Sequence, residues 1–351
     1  MAMFGVLPRV YTAADIPEPE RLDPAAVPVL RWGVLGAGDI AAQFVPTLLA
    51  NTRQQVVAVA SRTPGKAQAF VAEHGGGEAL DSYEELVGRA DIDAVYVATL
   101  PHQHLEHALL AIDAGKHVLV EKPSALSSAD AEKLYAAARA KGVFAMEAMW
   151  TRYLPHISVV RQIVQSGGIG QVRMLQADFG QDNRTVERLW RPGTASIVMD
   201  MAIYPLSFAQ MLMGNPVKIV ASGVLHSPTN EAVAIATLHY ESGATAVITT
   251  TAYSHVPSAA SVSGDLGLIT VDGPFWAPSG LQLRHAEFAG TGPSWVDQSG
   301  IRGHVGLCYE AEHMAHYIGR GLLESPLQSH ADTVAVIATG EEIRRQIGVQ
   351  F

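Results

Sequence analysis

The amino-acid sequence predicts two domains: an α/β domain with a doubly wound parallel sheet, followed by an α+β domain. Between residues 29 and 148, short apolar strands alternate with helical patterns, which is typical of parallel strands joined by right-handed crossovers. Between residues 149 and 351, strand-like runs follow one another through Gly, Pro or Asn turns. The length of 351 residues agrees, because it exceeds what one ordinary hydrophobic core accommodates.

Apolar runs and turn residues divide both domains into predicted elements. In the first domain the strands are residues 32–35, 55–60, 94–98 and 117–120, and the helices are residues 40–50, 66–74, 83–88 and 104–114. In the second domain the strands are residues 172–179, 217–223, 232–240, 244–253 and 261–271. Doubly wound sheets bind ligands beyond the carboxyl ends of their strands, so the residues that follow each strand are the binding-site candidates.

Composition and the N-terminal segment exclude several classes of function. The formal net charge of −10, without a visible basic patch, argues against a nucleic-acid partner. No apolar run reaches about 18 residues and the start lacks a basic, apolar leader, so we predict neither a membrane span nor a signal peptide. The single cysteine, Cys308, cannot form an internal disulfide and favours the cytoplasm. Residues 1–28 contain five prolines and are expected to form an arm, flexible or wrapped around a partner subunit.

Gly36 and Gly38 lie in a G-x-G-x-x-A turn between the first predicted strand and the first predicted helix. Gly36 permits the tight turn, and Gly38 allows the backbone to approach a pyrophosphate. The helix start, at Asp39 and Ile40, presents free N–H groups and a positive dipole end to the phosphates. The turn therefore predicts a dinucleotide site in a Rossmann domain, although similar glycine turns also occur without a ligand.

The end of the second strand bears on which dinucleotide binds. An NAD site places Asp or Glu there to bind the ribose hydroxyls, whereas this chain has Ser61 and Arg62. A guanidinium can bind a 2′-phosphate with two hydrogen bonds and a hydroxyl can donate a further one, so we predict NADP. Lys66, at the start of the next helix, is a further cofactor-binding candidate. If Arg62 is only a solvated strand-end residue, the preference is open and NAD remains possible.

Two more strand ends face the same predicted crevice. Their cofactor-binding candidates are Thr99, Leu100, His102, His104, Glu121 and Lys122. The histidines at positions 102, 104 and 107 match no common zinc spacing, and no cysteine accompanies them, so we predict no metal site.

Residues 114–123, with the sequence AGKHVLVEKP, resemble the glucose–fructose oxidoreductase/inositol dehydrogenase (Gfo/Idh/MocA) family. Residues 146–153, MEAMWTRY, resemble one branch of it, the dimeric dihydrodiol dehydrogenases and NADP-dependent xylose dehydrogenases. Residues 324–326 and 342–348 resemble the C-terminal signature of the same branch. Together these segments lie between about residues 31 and 350, which is almost the whole chain beyond the arm.

The resemblance implies a function, a second domain and a set of site residues. It implies an NADP-dependent oxidoreductase that transfers a hydride to or from a sugar, cyclic polyol or diol. The second domain would be a mostly antiparallel sheet with helices on one face and an open face that packs against a second subunit, in a homodimer or higher oligomer. Lys122, Asp200 and Tyr204 would form the catalytic group, and Trp150 and Arg152 would contact the cofactor.

The spacing of Asp200 and Tyr204 is consistent with a shared role. Residues at i and i+4 lie on one face of a helix, and Pro205 suits a first turn, so we expect a helix to begin close to Asp200. A lysine ammonium about 4 Å from a phenol contributes up to roughly 4 kcal/mol at an effective dielectric near 20. That is equivalent to about three pKa units, so we expect Lys122 to bring the pKa of Tyr204 toward neutrality. Tyr204 would carry the proton, Lys122 would hold the substrate oxygen, and Asp200 would orient the substrate or the lysine.

Two alternatives remain open from the sequence. One is a non-catalytic NADP-binding sensor of the same fold, and the other is a sugar or inositol dehydrogenase that prefers NAD. The family's glycine-rich stretch before the aspartate is replaced here by residues 193–199, and Ala202 replaces the glycine between Asp200 and Tyr204. These departures leave the identity of the substrate undetermined.

Overall fold

The structure is a computed structural model that describes residues 10–191, 196–285 and 292–350. The strands of the first domain are β1 (Arg31–Leu35), β2 (Gln55–Ala60), β3 (Glu78–Leu80), β4 (Ala94–Val97), β5 (His117–Glu121) and β6 (Ala145–Ala148). They form a parallel sheet in the order β3-β2-β1-β4-β5-β6. The order reverses between β1 and β4, which is where doubly wound sheets bind their ligands.

Both faces of this sheet are covered. The connecting helices are α1 (Asp39–Asn51), α2 (Lys66–His74), α3 (Tyr83–Val87), α4 (His104–Asp113) and α5 (Ser128–Lys141). Alternate strand residues belong to two hydrophobic clusters: Val34 and Tyr96 lie in one, and Leu35 and Val97 lie in the other. Because each face contributes to a core, the near-continuous apolar strands of the sequence are explained, and the predicted doubly wound domain is confirmed.

The second domain contains a larger sheet. Its strands are β7 (Val172–Gly180), β8 (Lys218–Ser227), β9 (Asn230–His239), β10 (Thr245–Thr251), β11 (Ala260–Gly264), β12 (Gly267–Val271), β13 (Gly280–His285) and β14 (Ser294–Val296). They are ordered β14-β13-β12-β11-β7-β10-β9-β8, and the pairs are antiparallel except for β7 with β10. Its helices are α6 (Pro155–Gln165), α7 (Ile203–Met213), α8 (Leu307–Gly319) and α9 (His330–Ile347).

One face of this sheet is covered by helices and the other is open. Helices α7 and α9 pack against the strands. Along β9, Ala234 and Ala236 are buried beneath them, whereas Ile235 points to the other side and is 46% exposed. The mostly antiparallel, open-faced sheet is therefore confirmed.

Several elements differ from the sequence-based prediction. The single strand expected over residues 261–271 is wrong: the chain folds back there, and β11 and β12 form a hairpin. A Cβ on Gly264 would lie 2.1 Å from the Ile169 carbonyl oxygen, so this strand end packs tightly against the preceding loop. Elements β3, β6, β13, β14, α5, α6, α8 and α9 are not predicted from the sequence. The short strands among them offer too few residues for a periodic pattern, and α5 is rich in alanine, so its apolar stripe is weak.

The described part of the N-terminal arm, residues 10–28, packs against its own chain. The Tyr11 hydroxyl donates to the Gly168 carbonyl at 2.9 Å, and the Glu20 backbone N–H donates to the Ser158 hydroxyl at 3.0 Å. The carboxylate of Glu20 also pairs with Arg161 on α6. Residues 1–9 lie outside the described part. None of the described helices is both long and apolar enough to cross a membrane.

Candidate active site

The glycine turn has the geometry that a dinucleotide requires. Gly36 has φ +103°, and a Cβ there would lie 2.6 Å from the Ala98 carbonyl oxygen, so only glycine fits between β1 and β4. Gly38 precedes α1, and a Cβ there would meet nothing within 4 Å. Open space therefore lies against the backbone at the start of α1, beside Asp39 and Ile40. The residues present fit a bound pyrophosphate.

A cation lies at the carboxyl end of β2, as the sequence predicts. Ser61 is buried, while Arg62 and Lys66 are exposed. The Arg62 guanidinium lies over the Tyr83 ring, 5.1 Å from its centroid. Because stacking on a ring restricts a long side chain, Arg62 is presented near the crevice in a defined position.

The loops after β4 and β5 are tied together by a buried histidine. His104 is 1% exposed, and its ring nitrogens lie 2.7 Å from the Pro123 carbonyl oxygen and 3.1 Å from the Thr99 carbonyl oxygen. This placement differs from the expected cofactor contact, because both ring nitrogens already face protein carbonyls. His104 instead holds the two loops together, whereas Leu100 and His102 are exposed. The described residues include no group of three or more His, Cys, Asp or Glu able to hold a metal ion.

The three residues of the expected catalytic group lie together. The Lys122 ammonium donates to the Asp200 carboxylate and to the Asp200 carbonyl, both at 2.8 Å. The same Nζ atom lies 5.0 Å from the centroid of the Tyr204 ring. The Tyr204 hydroxyl accepts a hydrogen bond of 3.2 Å from the Trp150 indole N–H. The second Asp200 oxygen lies 3.6 Å from Arg188, a half-exposed residue that sequence reasoning did not single out.

Asp200 lies in a wide turn whose backbone is held by buried charges. Residues Val198–Ala202 form a π-helical turn, and α7 begins only at Ile203. The start therefore comes slightly after Asp200, and Pro205 lies in the first turn of α7, as its missing N–H favours. Glu231 of β9 accepts from the Val198 N–H at 2.8 Å and from the Ser196 hydroxyl. Glu231 is fully buried and pairs with Arg344. In the sequence, the feature that indicates this supporting role is a glutamate within an otherwise apolar strand.

Aromatic rings surround the Tyr204 side chain. Its ring lies 5.5 Å from Phe179 and 5.9 Å from Trp276, centroid to centroid. Trp150 packs edge-on against Trp276 at 6.0 Å, and the His304 ring stacks on Trp150 at 5.7 Å. The site therefore combines a buried ion pair with an apolar wall, an arrangement that excludes water from the phenol.

Comparison with known proteins identifies the family. Residues 30–149 match the oxidoreductase family with an NAD-binding Rossmann fold, and residues 157–270 match the GFO/IDH/MocA C-terminal domain. The trans-1,2-dihydrobenzene-1,2-diol dehydrogenase of Sus scrofa is 34% identical over 330 residues, which cover 92% of this chain and 98% of that protein. The chain belongs to the GFO/IDH/MocA oxidoreductase family. It is an NAD(P)-dependent oxidoreductase.

Solved structures of other oxidoreductases share the fold. Levoglucosan dehydrogenase, in complex with NADH and levoglucosan, superposes with a TM-score of 0.82 at 19% identity, over 91% of this chain and 97% of that one. The 3-ketoreductase KijD10 from Actinomadura kijaniata, in complex with NADP and TDP-benzene, superposes with a TM-score of 0.80 at 25% identity, over 91% and 98%. Relatives that share the fold thus include both NADH and NADP complexes.

In this GFO/IDH/MocA protein, the pKa of Tyr204 is raised, which corrects the expectation that Lys122 would bring it toward neutrality. Burial of the phenol raises its pKa, and this outweighs the lowering by the Lys122 charge and the Trp150 hydrogen bond. The physical reason is the loss of water around the phenol, which disfavours the charged tyrosinate more than the neighbouring ammonium favours it. The Lys122 ammonium is bonded to Asp200 and lies over the ring of Tyr204, 5.0 Å from its centroid. Tyr204 is therefore a protonated donor at neutral pH.

Lys122 and Asp200 hold each other in their charged forms. Burial alone lowers the pKa of Lys122, but Asp200, Tyr204 and Glu121 together raise it by more, so the net shift is upward. Burial raises the pKa of Asp200, but Lys122 and Arg188 outweigh it, so the net shift is downward. Next to Lys122, burial raises the pKa of Glu121 to about 7, and the Tyr96 hydroxyl donates to this carboxyl.

Trp150 and Arg152 are buried rather than directed at open space. Trp150 is 2% exposed and Arg152 is 4% exposed. The Arg152 guanidinium donates to the Ser207 hydroxyl at 2.8 Å, and further to the Ser207 and Leu327 carbonyls and to Gln210. This differs from the expected cofactor contact, because the donors of Arg152 are bonded within the protein and join the turn after β6 to α7. The Trp150 indole N–H is likewise bonded within the protein, to the Tyr204 hydroxyl.

Proposed function

We propose that the chain transfers a hydride between NADP and a secondary alcohol or carbonyl of a sugar, cyclic polyol or diol. The observation that carries the proposal is the Lys122–Asp200 ion pair against the ring of Tyr204, at the carboxyl end of β5 and at the same edge of the parallel sheet as Gly38. The dehydrogenase name of the Sus scrofa relative, which acts on a diol, supports the substrate class. A nicotinamide cofactor, when bound, accepts or supplies the hydride.

The chain's own residues would manage the proton and the charge. Tyr204, kept protonated by its buried site, would donate its hydroxyl proton to the substrate oxygen during reduction, and its deprotonated form would accept the substrate proton during oxidation. Lys122 would stabilise negative charge that develops on that oxygen, because its ammonium is fixed and poorly solvated. Asp200 would keep the ammonium charged and aimed, with Arg188 beyond it.

A substrate panel tests this proposal. Purified protein should oxidise at least one member of a panel of aldoses, cyclic polyols and vicinal diols with NADP, followed as NADPH absorbance, while equilibrium titration gives the Kd for NADPH. Background rates across the panel together with tight NADPH binding would contradict the proposal and favour the non-catalytic sensor. Turnover with NAD alone would favour the NAD-preferring alternative.

The proposed preference for NADP rests on the Arg62 guanidinium at the carboxyl end of β2. Replacing Arg62 with Ala should weaken NADPH binding by about 10- to 100-fold, because charge-assisted hydrogen bonds contribute roughly 1.5–3 kcal/mol. Binding of NADH should change little, since it lacks the 2′-phosphate. Isothermal titration of both cofactors measures the two affinities. Arg139→Ala removes an exposed arginine of α5 in the same domain and serves as the control; an equal loss for NADPH and NADH in Arg62→Ala would contradict the assignment.

We also propose that the protein acts in the cytoplasm, because its single cysteine, Cys308, is a buried free thiol.

We propose further that the open face of the second sheet packs against a second copy of the chain. The exposed face of β8 and β9 carries Val220 (49% exposed), Val224 (51%) and Ile235 (46%). Val224 lies opposite Val233, and Ile235 lies opposite Ser222. A broad face of valine, isoleucine and threonine is typical of a surface that a partner covers.

Ile235→Lys should dissociate this proposed dimer. A lysine in the middle of a dry interface loses its hydration without gaining a partner, which is strongly unfavourable. Sedimentation velocity should show a dimer for the wild type and a monomer for the variant at micromolar concentrations. Leu49→Lys places the same charge at a 42% exposed leucine on α1 and should leave the dimer intact. A monomeric wild type, or a dimer that survives Ile235→Lys, would contradict the proposal.

A further inference from the structure

His304 is held at the active site by a turn that is fixed on two sides. It lies in a single 3₁₀ turn immediately before α8. The Thr47 hydroxyl of α1 donates to the Val305 carbonyl at 2.7 Å. Gly306 lies so close to Trp150 that a Cβ there would come within 2.8 Å of the indole ring. The backbone is therefore anchored to both domains, while the His304 side chain stays exposed.

The Trp150 ring lies between His304 and Tyr204, the proposed proton carrier. The His304 ring stacks on Trp150 with an interplanar angle of 19°, and the Trp150 N–H donates to the Tyr204 hydroxyl. It also lies 6.2 Å from Trp276, whose ring packs against Tyr204. The charge of Lys122 acts on it: burial lowers the pKa of His304, and Lys122 lowers it further. The imidazole is therefore neutral at physiological pH and lies within the electrostatic reach of Lys122.

The His304 imidazole differs from the neighbouring aromatic side chains in its capacity to form hydrogen bonds with a ligand. Phe179 has no polar atom, and the Trp150 N–H is already bonded to Tyr204. The Trp276 N–H is buried from solvent. Within the described part of the chain, the His304 ring nitrogens have no hydrogen-bond partner. A neutral imidazole offers one donor and one acceptor, which is what a sugar hydroxyl can use in both directions.

We propose that His304 contacts the substrate and selects polyhydroxylated substrates over diols carried on an apolar ring. This inference rests on the proposed function, since it concerns the substrate of the same site. The flat ring of His304 extends the wall formed by Trp150, and its nitrogens hydrogen-bond a substrate hydroxyl away from the reacting carbon. An apolar substrate ring leaves those nitrogens unpaired on binding, and a buried unpaired polar group opposes binding.

The test is His304→Phe, which keeps the ring and its stacking but removes both nitrogens. With NADP, kcat/KM is measured for D-xylose or another polyhydroxylated substrate that the wild type oxidises, and for trans-1,2-dihydrobenzene-1,2-diol. We expect the first to fall by about three- to tenfold, the worth of one or two neutral hydrogen bonds. The second should stay unchanged or rise. The Kd for NADPH should stay within twofold of the wild type.

Other outcomes would show whether the role of His304 or the proposed function itself is wrong. Equal losses for both substrates, no loss for either, or weaker NADPH binding would each overturn the role of His304. Inactivity of the wild type on every substrate would instead refute the proposed function. His304→Gln keeps a donor and an acceptor without the aromatic ring, so it should preserve the wild-type ratio of the two kcat/KM values, and a ratio shifted toward the apolar diol would also overturn the inference. His316→Phe, beside Tyr317 on α8, is the matched control and should change neither value.

Discussion

Tyr204→Phe is expected to lower kcat by at least about 100-fold in both directions, the usual contribution of a positioned general acid or base. The substitution removes a single oxygen and keeps the ring that packs against Phe179, Trp276 and the Lys122 ammonium. The NADPH Kd should therefore stay within twofold of the wild type. Steady-state kinetics on the best substrate of the panel and fluorescence titration of NADPH measure the two quantities.

A matched control separates chemistry from packing. Tyr240 is also buried, and its hydroxyl has no hydrogen-bond partner in the described part of the chain, so Tyr240→Phe should leave kcat unchanged. Tyr204→Phe also leaves the Trp150 N–H without its acceptor, which costs roughly 1–3 kcal/mol of stability. Thermal unfolding of both variants shows whether the loss of activity exceeds that loss of stability. If Tyr204→Phe kept most of its turnover, another group would have to move the proton.

The raised pKa of Tyr204 also predicts how the rate depends on pH. Below that pKa the tyrosine is protonated, which is the form that reduction needs, so the rate of carbonyl reduction should be level from neutral pH up to the tyrosine pKa and fall above it. Oxidation needs the deprotonated form, so its kcat/KM should rise by about tenfold per pH unit over the same range. A rise that levels off near pH 7 would contradict a buried, protonated Tyr204.

The sequence predicts which residues meet at the site better than it predicts how they are oriented. Lys122 follows a buried strand, and Asp200 and Tyr204 are one helical turn apart, so strand-end and helix geometry bring them together. The direction of the Lys122 ammonium could not be predicted, because it depends on the Asp200 carbonyl. That carbonyl is placed by a π turn whose Val198 N–H donates to Glu231, 33 residues further along the chain.

The same limit applies to the second domain and to the cofactor candidates. Alternation along β9 predicts a half-covered strand, but one apolar run cannot show that β11 and β12 turn back on each other at Gly264. His104 and Arg152 follow strands, as cofactor contacts do, yet the His104 ring lies between the Pro123 and Thr99 carbonyls, and Arg152 donates to the distant Leu327 carbonyl. Residues 193–195, in the stretch where the family has glycines, lie outside the described part.

Lys122→Met is expected to lower both activity and stability, for different reasons. Without the ammonium, developing charge on the substrate oxygen loses its fixed cation, and kcat should fall by about 100-fold or more, as when one preorganised electrostatic donor is removed. Asp200, whose side chain is only 18% exposed, would then be a buried carboxylate with Arg188 alone at 3.6 Å. Removing one partner of a buried pair costs roughly 3–5 kcal/mol, which thermal or urea unfolding would detect.

The pH dependence of stability distinguishes this cause from lost packing. In the wild type the pKa of Asp200 is lowered, so the ion pair stabilises the fold above the unfolded aspartate pKa, and that stability is lost as pH falls through the folded pKa. In Lys122→Met, burial should raise the pKa of Asp200 above its unfolded value. The stability deficit relative to wild type should therefore shrink as pH falls from 7 toward 4, whereas a packing defect would cost the same at both values.

The double variant Lys122→Met/Asp200→Asn separates the effect of Lys122 on stability from its effect on turnover. The asparagine removes the uncompensated charge, so most of the stability lost in Lys122→Met should return, while kcat should stay at the level of the single variant because the cation is still absent. Recovery of stability without recovery of turnover would assign two separate roles: Asp200 maintains the charge and the aim of Lys122, and Lys122 acts on the substrate oxygen. If turnover returned as well, Lys122 would matter only for folding, and Tyr204 would have to perform the proton transfer without a neighbouring cation.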